Sequence, residues 1–215
     1  MKKTMMVLLL SLLVGGSTLF AQGLGLRAGV NFQNLTGDGV EDGKMAPRFN
    51  IGVDYEIAVA PDFYFAPGLF FATKGTKQEY EESLELFGES IEVSFSDDIT
   101  ISYLEVPLNL VYKPMLGDGN LIVAFGPYLG YAVGGKVKWE ESAEGATESG
   151  EDDLEFGSGD NEVKAFDMGA NLGFGYMFGG GLSLQFNTQL GLVSISNGDD
   201  AIKNTGFGLS LGYRF

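Results

Sequence analysis

The stretch from Gly206 to Phe215 alternates without a break, and no other feature of the chain constrains its fold so tightly. Phe207, Leu209, Leu211, Tyr213 and Phe215 fall on one face of an extended strand; Gly208, Ser210, Gly212 and Arg214 fall on the other. Strand side chains alternate with period two, so one face is apolar and aromatic while its reverse is small and polar. Water is a poor solvent for such a face. Lipid is a good one, and a transmembrane β-barrel turns apolar residues outward and polar residues into its lumen. A soluble lipocalin-like barrel would invert that order.

Seven further segments carry the same alternation: Leu24 to Gln33, Arg48 to Ala60, Phe63 to Lys74, Ile99 to Lys113, Leu121 to Lys138, Val163 to Phe178 and Leu182 to Ile195. Connections after the second, fourth and sixth are short, and those after the first, third, fifth and seventh are long and polar. That rhythm, with an even strand number, is the pattern of an outer-membrane barrel. The expected fold is all-β, an eight-stranded antiparallel up-and-down transmembrane β-barrel. Several segments exceed the roughly 9–11 residues that cross a bilayer, so some strands are expected to continue above the membrane.

The opposite end of the chain agrees. Lys2 and Lys3 precede the apolar run Met5 to Val14, followed by Gly15-Gly16-Ser17-Thr18 and Ala21-Gln22. This is the order of a secretory signal peptide, although Leu19 is larger than the residue expected three before the cut. Residues 1–21 are expected to be the signal and 22–215 the barrel domain, placed in the bacterial outer membrane. The chain has no cysteine and no histidine, which removes disulfides, a Ser-His-Asp triad and imidazole metal sites. No catalytic residue and no cofactor is assigned. The formal charge of −16 becomes −18 without Lys2 and Lys3, and such acidity argues against nucleic acid as a partner.

Charged residues on the polar strand faces are Arg27, Arg48, Asp54, Glu56, Lys74, Glu105, Asp167 and Arg214. Side chains fill the interior of a barrel of this size, and charges buried there must pair. The expectation is an ion-pair network that plugs the lumen. The alternative is a narrow, cation-preferring pore with Glu105 and Asp167 as its acidic lining. Two acidic blocks lie outside the strands, Glu79 to Asp98 and Glu140 to Glu162. They are expected to be solvated external loops, available to a protein partner, with outer-membrane lipid and lipopolysaccharide as the surrounding partners. Asp152, Asp153 and Asp160 are the candidate ligands of a weak Ca²⁺ site, although EF-hand spacing is absent.

Pro67, Pro107 and Pro127 lie inside strands, where proline cannot donate to the ladder; bulges or local gaps in pairing are expected there. Leu26-Arg27-Ala28-Gly29-Val30-Asn31-Phe32, Tyr103-Leu104-Glu105-Val106-Pro107-Leu108, Gly126-Pro127-Tyr128 and the Gly-Tyr-Arg-Phe ending together resemble the PorT-like outer-membrane β-barrel domain of Bacteroidota. The resemblance implies a whole-chain barrel that tolerates the interior prolines. It also implies, for some members, a part in protein secretion and gliding, which makes a secretion-machinery component a further alternative.

Overall fold

The computed structural model describes residues 23–215 apart from 38, 39, 41, 42, 87, 88, 144, 145, 160, 161 and 199. The expected signal, residues 1–21, lies outside the described residues. The strands are β1 (Leu24–Thr36), β2 (Ala46–Tyr55), β3 (Ile57–Ala60), β4 (Phe63–Leu86), β5 (Glu89–Tyr112), β6 (Met115–Leu116), β7 (Gly119–Ala143), β8 (Ala146–Asp153), β9 (Phe166–Met177), β10 (Leu182–Gly191) and β11 (Lys203–Arg214).

They close into an antiparallel ring of eight staves in the order β1, β2 with β3, β4, β5, β7, β9, β10, β11. Closure is made by β1 and β11, paired in unbroken register from Gly25↔Arg214 to Thr36↔Lys203. β2 and β3 form one stave interrupted at Glu56, whose N–H donates instead to the Gly23 carbonyl at 2.8 Å. Outward positions are apolar and exposed, among them Leu26, Val30, Phe49, Ile51, Leu172, Phe186 and Leu209. Inward positions include buried Asn31, Gln33, Asn109, Gln185 and Ser210. This is the inverse of a soluble protein, and it follows directly from the alternation of the sequence.

Aromatic pairs mark two levels of the outer surface. Phe32–Phe207 and Phe49–Phe71 lie 5.6 and 5.8 Å apart toward the long-strand end. Phe63–Tyr112, Tyr176–Phe178 and Tyr213–Phe215 lie 4.6, 5.1 and 5.0 Å apart toward the short-turn end. Such rings sit at the two margins of the hydrocarbon. The short turns face the periplasm in barrels of this kind, so the long strands project outward from the cell.

The continuation above the membrane matches the strand lengths read from the sequence. What differs is the acidic blocks, most of which are strand rather than loop, from Glu79 to Leu86, Glu89 to Asp98, Glu140 to Ala143 and Ala146 to Asp153. β4 and β5 have 24 residues each and β7 has 25, against 10 for β10. Their outer halves, with β8 paired to β7, make a four-stranded antiparallel sheet standing above the barrel. Charge density suggested solvated coil, but the charges alternate with Tyr80, Phe95, Val137 and Trp139. The Tyr80 and Phe95 rings stack at 4.9 Å directly across the β4–β5 ladder. Cross-strand aromatic pairs of this kind are what stabilise sheets.

The prolines interrupt pairing without shifting it. The β4–β5 ladder passes from Pro67↔Leu108 to Phe70↔Glu105, and the β5–β7 ladder from Pro107↔Tyr128 to Leu110↔Phe125, each in the same register on both sides of the gap. They are gaps, not bulges. At the external mouth the barrel carries a small apolar core of Leu35, Val40, Ile101, Tyr103, Ala132 and Ile195, against which Leu154, Phe156, Val163 and Ile202 pack.

The outward face provides a discriminating test. Leu211 is 60 % exposed, so in water Leu211→Arg would be nearly neutral. In lipid a mid-belt arginine costs about 2–4 kcal/mol. Urea unfolding of residues 22–215 in phosphatidylcholine vesicles is expected to show a loss of that size, and an unchanged midpoint would contradict the lipid-facing assignment.

Candidate functional site

Two groups of charged side chains occupy the interior. The outer group is centred on Lys74 of β4, which is 1 % exposed. Its Nζ lies 2.5 Å from Glu105 Oε1 on β5 and 3.0 Å from Asp167 Oδ2 on β9. It also stands 3.9 Å above the ring of Tyr128, a cation–π contact strengthened by burial. The Asp167 carboxylate accepts further from Tyr128 Oη at 3.2 Å and Asn204 Nδ2 at 3.1 Å. Glu105 Oε2 accepts from Gln189 Nε2 at 3.2 Å. Tyr128 fits because Gly169 stands opposite: a Cβ there would lie 2.6 Å from the tyrosine ring.

The inner group lies at the periplasmic end. Arg214 Nη2 is 2.5 Å from Asp54 Oδ1 and 2.9 Å from Glu56 Oε1. Lys113 Nζ is 2.5 Å from Glu56 Oε2. Gly25 leaves the room for this guanidinium, since its Cβ would meet Arg214 at 2.5 Å. Arg27 lies between the groups, donating to Gln185 Oε1 at 3.2 Å with its guanidinium 4.6 Å from the Phe70 ring centre. A cavity of about 60 Å³ separates the two ends, bounded by Arg27 and Glu105 and walled by Asn31, Asn50, Asn171 and Gln189. That is room for a few water molecules among amides.

Of the eight charged residues read from the sequence, the structure brings Lys74, Glu105 and Asp167 together at one level and Asp54, Glu56 and Arg214 at another. Arg48 joins neither group: it pairs with Asp98 and donates to the Ile99 carbonyl at 2.8 Å. Lys113 was missed because it follows the last apolar residue of its segment, although its alternation with Val111 and Asn109 was a usable signal. Tyr103 and Tyr128 were missed because an aromatic residue on a polar face carries no charge to flag it. Interior charge is balanced, with Arg27, Lys74, Lys113 and Arg214 facing Asp54, Glu56, Glu105 and Asp167.

The acidic blocks take part in ion pairs. Glu79 accepts from Lys44 at 2.5 Å and from Lys77 at 2.6 Å, and Glu151 pairs with Lys136 and, at 3.8 Å, with Lys138. Asp152 Oδ2 accepts from Trp139 Nε1 at 3.1 Å. Asp152 and Asp153 are consecutive strand residues, so their side chains leave opposite faces, and Asp160 lies outside the described residues. Among the described residues no group of three His, Cys, Asp or Glu is placed to hold a metal ion.

Two expectations follow from these contacts. Lys74→Met would leave Glu105 and Asp167 buried without a cation, at a cost of about 3–5 kcal/mol. The triple variant K74M/E105Q/D167N should recover most of that loss, as read from urea midpoints in vesicles. At the surface, the hydrogen bonds of Lys44 and then Lys77 hold the Glu79 carboxyl down to about 2 from its ordinary 4.5. A depressed folded value means that the clasp contributes fully above about pH 4.5 and is lost as pH falls through about 2. A ¹³C titration of Glu79 at low salt should find the low midpoint, and K44A/K77A should restore the ordinary one; a wild-type midpoint near 4.5 would refute the clasp.

Comparison with known proteins gives a family. The family described as outer membrane protein β-barrel domain matches residues 20–197. Similar solved structures include Ail, the attachment invasion locus protein of Yersinia pestis, in complex with the heparin analogue sucrose octasulfate, at 20 % identity over 90 % of this chain and 99 % of that one, with a TM-score of 0.40. Neisserial surface protein A, NspA, is 11 % identical over 90 % of this chain and 97 % of its own, with a TM-score of 0.42. No curated protein matches the chain.

Proposed function

The chain belongs to the outer membrane protein β-barrel domain family, and we propose that it serves the bacterial outer membrane as a closed barrel that displays an acidic sheet to a partner. The observation that carries this reading is the succession of obstacles along the axis. A solute entering from outside meets the apolar core around Ile101 and Tyr103, then Lys74 with its two carboxylates, then the amide cavity, then Arg214 with Asp54 and Glu56. The layers on either side of the cavity are closed by paired charged side chains, as expected of a barrel with eight staves. The balanced interior charge supports a structural lumen over a cation-preferring path, which would need a surplus of carboxylates facing water.

The display half of the reading is supported by the sheet built from β4, β5, β7 and β8. It carries Glu81, Glu82, Glu140, Glu141 and Glu148 exposed on its surface. A rigid, negatively charged sheet favours partners bearing positive charge and steers their encounter. The role is non-catalytic. Within the family we place the chain with the PorT-like branch on the motifs around Arg27, Glu105 and Pro127, with residues 1–21 as a cleaved signal and 22–215 as the barrel. That branch keeps a secretion-machinery role as the second reading.

Planar-bilayer recording of the refolded mature chain tests the closed lumen. Folded protein is expected to be silent from acid to neutral pH. Discrete cation-selective steps that change on Glu105→Gln would overturn the reading in favour of a channel.

A further inference from the structure

Beside the long outer half of β7 the barrel wall steps down. β7 continues to Ala143, whereas β9 begins at Phe166 and β10 ends at Gly191. The space is filled by the chain approaching β9 and the chain leaving β10. Both are pinned by hydrogen bonds: Ala132 N–H to the Ala165 carbonyl at 2.7 Å and Lys164 N–H to the Ile195 carbonyl at 2.8 Å. Asn197 Nδ2 ties the approaching segment by donating to the carbonyls of Gly157, Gly159 and Glu162 at 3.0, 3.1 and 2.9 Å. What remains on the outer side is a groove of about 550 Å³, lined by Tyr131, Gly157, Lys164, Phe166, Val193 and Ser194.

The groove has two chemically distinct ends. Tyr131 and Phe166 are directly opposite across the β7–β9 ladder. They are 62 % and 48 % exposed, the first pair of the lipid-facing surface below the step. Lys164 precedes Phe166 by two residues, on the side away from the membrane, and it is exposed. Among the described residues it makes no ion pair, while Lys77, Lys136 and Lys138 on the neighbouring sheet, and Lys44 beside it, each face a carboxylate. Glu162, close in sequence, turns its carboxylate to the Gly159 N–H at 2.6 Å. An ammonium with no ion pair among the described residues, one step above an exposed aromatic pair at the margin of the bilayer, matches a molecule with a phosphate head and acyl chains.

We propose that this groove binds a phosphorylated glycolipid of the outer leaflet, with acyl chains on Tyr131 and Phe166 and a phosphate on Lys164. The proposal rests on the outer-membrane placement of the barrel and is independent of whether the lumen conducts. An acidic protein in an anionic leaflet is repelled by its surroundings. A groove whose one charged lining residue is Lys164 offsets that repulsion at one place and gives the lipid a defined seat.

The test uses the mature chain refolded in phosphatidylcholine nanodiscs and titrated with bis-phosphorylated lipid A, with bound copies counted by native mass spectrometry. Wild type is expected to hold one lipid A. K164Q should weaken it about five- to tenfold, K164R should retain it, and Y131A/F166A should weaken it without abolishing folding, checked by heat-modifiable migration. Lys203, a lysine on β11 outside the groove, is the control, and K203Q should bind as wild type. Equal losses in K164Q and K203Q, equal binding of dephosphorylated lipid A, or no retained lipid A on wild type would each overturn the proposal. Conductance of the same preparations reports separately on the lumen, so the two readings fail independently.

Discussion

Everything in this molecule depends on the pairing of its first and last strands. In hydrocarbon an unpaired backbone N–H or carbonyl has no water to turn to, at a cost of several kcal/mol for each group. A membrane sheet is therefore viable only when its edges meet. Here the register from Gly25↔Arg214 to Thr36↔Lys203 runs without a slip, and a shift of one residue would turn Phe207, Leu209 and Leu211 into the lumen. The same register brings the Arg214 guanidinium to the Gly23 carbonyl at 2.9 Å and, across β1, to Asp54 on β2. Closure and the inner ion pairs are one arrangement seen from two sides.

The interior answers to a different requirement. Side chains must fill a narrow tube while leaving no charge or amide without a partner. Large residues are accommodated by placing glycine beside them, as Gly169 does for Tyr128 and Gly25 for Arg214. Charge is accommodated by pairing across staves distant in sequence: Lys74 reaches Asp167 on a stave 93 residues further along the chain. Where pairing of charges ends, amides take over, with Asn50 donating to Asn31 at 2.8 Å and Gln189 to Asn171 at 3.0 Å.

Much of this was legible before any coordinates. The two-residue alternation of β1, β10 and β11 located the lipid face, and the short and long connections ordered the staves. The orientation of Arg27, Lys74, Glu105 and Asp167 followed from parity alone. Their partners did not, because which stave lies across the lumen depends on tilt and stagger, which period two does not encode. Hence Asn204 and Gln189 were invisible as neighbours of Asp167 and Glu105. The acidic blocks, read as loops, were misread for another reason. Acidic runs usually mark solvated coil, and in β4 and β5 the strand signal of Tyr80, Val93 and Phe95 is diluted by glutamates that occupy exposed positions.

The unequal length of the staves also governs how the protein reaches its place. The outer halves of β4, β5, β7 and β8 carry most of the surface acid, and all of it must travel through the plane of the bilayer if the barrel enters from the periplasmic side. A charged side chain at mid-bilayer costs about 2.5–3.5 kcal/mol on insertion scales, and several cross in each hairpin. Unassisted entry is therefore slow, and a wet passage through assembly machinery is the physically reasonable route. The same barrier acts in reverse once the sheet is outside. With β4, β5 and β7 projecting on one side and tight glycine turns on the other, the molecule cannot invert: its sidedness is kinetically locked by the charge it has already carried across.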